Sequence, residues 1–326
     1  MHFKTTPESW PLAIPFTIAR ETITALPLLL LEITHDGATG RAEAAGVDYE
    51  GDTPETLAAE LDIYLKGRTT PPTRAQLLTE MRPGGARNAL DCALWDWEAK
   101  HTNRRAAEIA DLPDPRPLVT ALSIGIDSPQ AMAAIARTQP EAALFKLKLG
   151  GKDGQDLARV AAVRAAAPQA EITVDCNEGW SVEQLNAAVP DLLAYGVTLI
   201  EQPLPAIGDV ALAGYTGQIP LCADESFADI ADLPRLAFYS AVNIKLDKCG
   251  GLTAALAIAD AAQARGKELF VGCMIGTSLG MAPGFLLGQR CRWVDLDGPL
   301  LLAGDRSPAI RYDGTVMQPF GPKVWG

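Results

Sequence analysis

Apolar and polar positions divide the chain into two regimes. Up to about residue 115 the pattern is mixed and predicts an α+β unit. Leu28–Thr34 is an apolar run that stops at His35-Asp36-Gly37, which predicts a strand and a turn. Thr53-Pro54-Glu55 sets a capping threonine before a proline in a first helical turn. After Pro83-Gly84-Gly85, the residues Ala86, Leu90, Ala93, Leu94 and Trp97 recur at helical spacing and form one apolar face. The segment from Pro113 to Pro117 reads as a domain junction.

Beyond the junction the pattern becomes regular. Short apolar runs at 119–126, 142–149, 171–176, 198–202, 220–224, 242–247, 268–273 and 293–297 predict strands. Alanine-rich helical stretches such as 153–167 and 252–264 lie between most of them. Strands alternating with helices predict an α/β fold of parallel units closing into a compact barrel over 116–299. Residues 300–326, with Pro308, Gly314, Pro319 and Gly321, are expected to return and complete the first domain, 1–115. A doubly wound open sheet is the alternative. No G-x-G-x-x-G follows the first strand and no phosphate loop is present, so the barrel is preferred.

Composition narrows the functional classes. The 326 residues are 48% hydrophobic, enough for a large core, and the formal net charge is −12 without a basic run. Nucleic-acid binding needs clustered Lys and Arg, so that class is excluded. The polar, proline-containing start MHFKTTPESW does not read as a signal peptide. The longest apolar run, Ala25 to Leu31, contains Pro27 and falls far short of the roughly 20 residues of a membrane span. Six cysteines form no C-x-x-C pair, so a reducing cytoplasm is the expected setting. The three histidines, His2, His35 and His101, all precede the barrel.

The candidate chemistry lies at strand ends. In a barrel, active sites form at the C-terminal ends of the strands, and charge inside an apolar strand is costly unless paired or metal-bound. The second strand ends in Phe145-Lys146-Leu147-Lys148. The third ends at Asp175, the fourth at Glu201, and the fifth in Asp224-Glu225. The sixth carries Lys245, and the eighth ends in Asp295-Leu296-Asp297. A rim salt bridge would explain any one of these, but not the ordered set. Adjacent strands lie about 4.8 Å apart, so Asp175, Glu201 and Asp224 can converge. Three oxygen ligands with open positions suit Mg²⁺, and the lack of barrel histidines disfavours zinc, copper and iron. Lys146 and Lys148 share a strand face. Their mutual repulsion, and a nearby cation, are expected to lower a lysine pKa from about 10.4 toward working pH. Lys245 lies across the barrel mouth, so a substrate carbon could have a base on each side.

These motifs closely resemble the muconate-lactonizing subgroup of the enolase superfamily over nearly the whole chain. Its pattern is K-x-K on the second strand, metal carboxylates on the third to fifth and lysine on the sixth. Here the matching residues are Lys146-Leu147-Lys148, Asp175, Glu201, Asp224 and Lys245, with flanks Asp175-Cys176-Asn177-Glu178-Gly179-Trp180, Glu201-Gln202-Pro203 and Asn243 to Gly251. Asp295-Leu296-Asp297 resembles the D-x-D of dipeptide epimerases, whose best-known members act on L-Ala-D/L-Glu. A dipeptide presents a free ammonium that two carboxylates can bind.

The resemblance implies a modified TIM barrel, (β/α)7β, with a capping domain. It also implies a Mg²⁺-dependent isomerase acting on a small dipeptide in murein peptide recycling, without nucleic-acid or membrane partners. Lys148 and Lys245 would be the bases and Asp175, Glu201 and Asp224 the metal ligands. Lys146, Asn177, Cys273, Ile275, Asp295, Asp297 and Arg20 would meet substrate. Some relatives with acidic substrates carry arginine where this chain has Leu279, which leaves a non-glutamate preference open. A lyase or cycloisomerase of the o-succinylbenzoate synthase or muconate type is the alternative activity, and a non-catalytic metal-binding scaffold a further one. A homo-oligomer is also left open.

Overall fold

The computed structural model describes residues 1–326. The chain begins with an antiparallel meander of β1 (His2–Thr17), β2 (Thr22–His35) and β3 (Ala38–Ala44), in spatial order β1-β2-β3. The sequence reading places no strand at β1, which contains Pro7, Pro11 and Pro15. It forms nonetheless because it is the edge strand, where a missing N–H on the free side removes no ladder bond. Helices α1 (Pro54–Leu65), α2 (Arg74–Glu80), α3 (Gly85–Thr102) and α4 (Ala106–Ile109) complete the capping unit. Thr53 caps α1 by accepting from the Thr56 N–H. Helix α3 lies against β3 so closely that a Cβ at Gly40 would stand 2.0 Å from the Ala93 carbonyl oxygen and 2.5 Å from the Trp97 amide nitrogen.

Eight parallel strands follow: β5 (Leu122–Ile124), β6 (Leu144–Lys148), β7 (Glu171–Asp175), β8 (Val197–Glu201), β9 (Leu221–Ala223), β10 (Ala241–Lys245), β11 (Glu268–Gly272) and β12 (Trp293–Val294), neighbours in that order. The Ala121 N–H donates to the Val294 carbonyl at 2.7 Å and brings the two ends of the curled sheet together. Helices α5 (Pro129–Thr138), α6 (Asp156–Ala166), α7 (Val182–Ala194), α8 (Leu246–Cys249), α9 (Leu252–Gln263) and α10 (Ser278–Gly288) connect strands. The connections after β8 and β9 are 3-10 segments, Ala206–Gly214 and Ile230–Arg235, rather than α-helices.

The apolar run expected as one strand over 119–126 is split. Leu118–Val119 (β4) pairs with the tail strand β14 (Val316–Met317), itself paired with β13 (Tyr312–Asp313); only Leu122–Ile124 joins the barrel. After the short α11 (Gly298–Leu301), the tail also reaches the cap. Trp325 Nε1 donates to the Cys92 carbonyl at 3.0 Å, and the Gly326 N–H donates to Asp96 Oδ1 at 2.8 Å.

Ala121, Leu144, Leu199, Cys222, Ala241, Phe270 and Trp293 form a separate buried cluster inside the barrel. Lys146 Nζ lies 5.2 Å from the centre of the Phe270 ring, so this plug is an apolar floor directly beneath the charged strand ends. The larger core fills the layer between strands and helices and continues into the cap.

Candidate active site

Parallel register places the charged residues at one end of the barrel. Lys148 pairs with Asp175 and Asp175 with Glu201 along adjacent strands, and Asp224 directly follows β9. One carboxylate oxygen from each of Asp175, Glu201 and Asp224 lies within 4.8 Å of the others, and all three residues are buried. Asn243 Nδ2 donates to Glu201 Oε1 at 2.8 Å. Glu201 Oε2 is buried without an aligned hydrogen bond, although Lys146 Nζ is 2.8 Å away. An oxygen-only trio with one unsatisfied central lone-pair set fits a hard divalent cation such as Mg²⁺.

Electrostatics divide the trio. Burial works against ionisation of Asp175, but Lys148 and Lys146 outweigh it and hold its carboxyl down at about 2. Asp224 is likewise held well below its ordinary range, its burial outweighed by Lys245 and Lys248. Glu201, buried and flanked by both acids, is pushed up to about 8. A cation at the centre would act most on Glu201, the member least compensated by lysine.

The lysines occupy opposite ends. Lys148 Nζ donates to Asp175 Oδ2 at 2.5 Å, and Lys146 Nζ lies 3.3 Å from the same atom. Lys245 Nζ donates to Asp224 Oδ2 at 2.7 Å, and Lys248 Nζ to Asp224 Oδ1 at 2.5 Å. The protein's own charges do not depress the pKa of Lys146, nor that of Lys245. Burial alone would lower both. For Lys146, Asp295, Glu201 and Asp175 reverse this; for Lys245, Asp224 does, and both ammonium groups are held above their usual value. Lysine–lysine repulsion is outweighed by the carboxylates in direct contact, which the expectation left out.

Asp295 and Asp297 are buried rather than open to the mouth. Asp295 Oδ2 accepts from Lys146 at 2.8 Å, and Asp295 Oδ1 from Ser123 Oγ at 3.2 Å. Asp297 Oδ2 accepts from the Ser123 N–H at 2.6 Å, and burial beside Asp295 pushes its carboxyl up to about 7. A cavity of about 380 Å³ runs from Lys148, Lys245, Asn177, Cys273 and Ile275 outward to the β1–β2 hairpin, and neither Asp295 nor Asp297 lines it. Asn177 Nδ2 donates to Glu225 Oε1 at 3.1 Å, while its buried Oδ1 has no partner. Arg20, at the hairpin turn, also donates to Glu225 Oε1, at 2.8 Å, and lies over the Tyr49 ring.

Four contributors are given no role in the sequence reading. Ser123 holds both acids of the D-x-D, Asn243 orients Glu201, and Tyr49 lines the cavity. Gln202, held at φ +33°, accepts from the Asp224 and Ser226 amides and so fixes the loop carrying Asp224. Asn243 and Gln202 lie within the motif flanks quoted above; Tyr49 and Ser123 carry no local signal.

A barrel whose strand ends present three acids between paired lysines defines a class of protein, and sequence comparison agrees with it. Residues 1–111 match the mandelate racemase / muconate lactonizing enzyme N-terminal domain, and residues 130–291 match the enolase C-terminal domain-like family. The chain belongs to the enolase superfamily. L-Ala-D/L-Glu epimerase of Escherichia coli (strain K12) is 38% identical over 308 residues, covering 94% of this chain and 95% of that protein. N-acetyl-D-glutamate racemase of Pseudoalteromonas sp is 45% identical over 259 residues, 77% and 79% of the two chains. A crystal structure of an enolase family member from Agrobacterium tumefaciens with homology to dipeptide epimerases holds sodium and L-Ala-L-Glu. It matches this fold with a TM-score of 0.94 at 42% identity over 99% of both chains.

Proposed function

We propose that this protein is a Mg²⁺-dependent dipeptide epimerase that inverts the α-carbon of the C-terminal residue, with L-Ala-D/L-Glu as substrate. The observation that carries this reading is the disposition of Lys148 and Lys245 on opposite members of one acidic trio, both facing a single cavity. The E. coli relative's activity and the dipeptide held by the Agrobacterium structure support it.

Asp175, Glu201 and Asp224 would hold the ion. When bound, it would polarise the substrate carboxylate and offset charge developing beside it. Lys148 and Lys245 take and return the α-proton on opposite faces, one as amine and the other as ammonium. Positive charge added at the trio works against both ammonium forms and favours the neutral base. Lys146, fixed by Asp295, remains a cation on the Asp175 side and steadies the substrate carboxylate. Asp295 and Asp297 are assigned to the dipeptide's free ammonium, although neither lines the cavity and Asp295 is paired with Lys146. Arg20 meets a side-chain carboxylate by exchanging Glu225 for it. Asn177, Cys273 and Ile275 line the substrate. A role in murein peptide recycling in the cytoplasm accords with that substrate.

The test follows the α-proton of L-Ala-L-Glu by NMR with protein and Mg²⁺ in D₂O. Signal loss with appearance of the L,D diastereomer is expected, and Lys245→Ala should abolish epimerisation while leaving exchange from one stereoisomer. Persistence of the proton signal across a dipeptide panel would end the reading.

The 45% identical racemase favours a second substrate of the same chemistry, N-acetylglutamate, which lacks the ammonium. Asp297→Asn separates the two: it should weaken turnover of the dipeptide and leave that of the N-acetyl amino acid intact.

A further inference from the structure

The cap loop between β3 and α1 carries Tyr49 into the substrate cavity. Tyr49 lines that cavity together with Lys245, and its ring lies under the Arg20 guanidinium. This loop is closed on itself. The Val47 N–H donates to Asp52 Oδ2 at 3.0 Å, and Arg82 holds Asp52 Oδ1 at 3.1 Å. Its hydrogen bond to the barrel runs from the Gly46 N–H to Asp247 Oδ1 at 3.0 Å, bridging 201 residues of sequence. Gly46 is required there: its φ is +74°, and a Cβ would stand 2.6 Å from Asp52 Cβ.

Asp247 follows Lys245 by two residues, in the first turn of α8. It makes no ion pair and does not touch the acidic trio. With Glu43 it lines a cavity of about 20 Å³ at the seam between cap and barrel. Glu43 ties the same edge of the cap to the next barrel loop, accepting from the Thr277 N–H at 2.7 Å and its hydroxyl at 2.6 Å. Gly46 through its backbone N–H and Glu43 through its side-chain carboxylate thus join the cap to the segments that follow β10 and β11, next to Lys245 and the Cys273–Ile275 wall.

We propose that Asp247 is a positioning residue that sets the cap loop bearing Tyr49 against Lys245, and thereby governs proton transfer on the Lys245 face of the substrate. This rests on the two-lysine reading above. The acceptor, not the charge, performs the task, because its partners, the Gly46 N–H and the Asn88 side-chain amide, are both neutral. Loss of the acceptor would let loop and lysine move apart while Lys148, on β6 across the mouth, keeps its place.

The experiment measures deuterium incorporation separately from the L,L and L,D dipeptides, with Lys148→Ala and Lys245→Ala identifying which diastereomer each lysine serves. Asp247→Ala should lower exchange at the Lys245 face by about tenfold, the scale of one hydrogen bond to a carboxylate, and at the Lys148 face by less than about threefold. Asp247→Asn, which keeps an acceptor oxygen, should stay within about threefold of the parent on both. Hydrogen–deuterium exchange mass spectrometry of peptides spanning 45–52 should show faster amide exchange in Asp247→Ala and not in Asp247→Asn. Asp247→Leu, of similar volume and without an acceptor, takes the place of Asp247→Ala if that variant does not fold. Equal losses on both faces, or equal damage from Asn and Ala, would overturn the proposal. If the parent protein exchanges neither diastereomer, the two-lysine reading fails instead. The protection of 45–52 then decides the tether alone, and unchanged protection in Asp247→Ala rejects it.

Discussion

Replacing Lys146 by methionine keeps the buried stem and removes one charge from the centre of the site. Lys146 is 1% exposed, and its Nζ stands 2.8 Å from Glu201 Oε2, 2.8 Å from Asp295 Oδ2 and 3.3 Å from Asp175 Oδ2. Removing one partner of a buried ion pair costs about 3–5 kcal/mol, because the remaining charge is left uncompensated. Three carboxylates share this lysine, but Glu201, its carboxyl raised to about 8, is mostly protonated at neutral pH and adds little uncompensated charge. The loss should therefore sit within that range rather than triple it. At roughly 2–4 °C per kcal/mol, it corresponds to a fall in melting temperature of about 6–20 °C. The assay is thermal unfolding of both proteins in EDTA and in excess Mg²⁺. Mg²⁺ should recover a larger increment for the variant than for the parent, because a cation at the trio supplies the missing charge. Equal melting temperatures in EDTA would refute the electrostatic account of Lys146.

Three other outcomes follow from the geometry. Burial, with Glu43 and Asp52 near, pushes the Asp247 carboxyl up to about 7, so the folded state holds a proton that the unfolded chain releases near pH 4. That stability is complete below about pH 4 and lost as pH rises through about 7. The melting-temperature advantage of Asp247→Asn over the parent should therefore grow from pH 5 to pH 8, and parallel curves would contradict it. Gly40→Ala forces a methyl onto the Ala93 and Trp97 backbone, so α3 must move off β3. Urea unfolding should register a loss of about 1–3 kcal/mol. Arg20→Ala should raise KM for L-Ala-Glu about tenfold with kcat little changed, and leave KM for a neutral dipeptide unaltered. Equal shifts for both substrates would show that Arg20 serves the loop rather than the carboxylate.

The order of chemistry along the barrel was open to inspection in the sequence, because strand ends of a parallel barrel all emerge on one side. Once 171–176, 198–202 and 220–224 are recognised as consecutive strands, Asp175, Glu201 and Asp224 must share a rim, and residue type alone selects a hard cation. The same logic puts Lys148 and Lys245 on either side. Local capping was equally legible, as at Thr53, because an N-cap needs only its own turn.

What tertiary structure decided are the pairings across long stretches of chain. Sequence alone reads no strand at β1, whose three prolines are accommodated by its edge position. The apolar run at 119–126 divided because Leu118–Val119 found a partner near the C-terminus. Asp295 reads in sequence as a free acid, and only folding shows it gripping Lys146, 149 residues away. The raised lysine values, the reach of Tyr49 into the cavity and the Gly46–Asp247 tether have the same origin. Local sequence fixes which groups a strand presents, but the energy of a buried charge or an N–H depends on what folding brings against it.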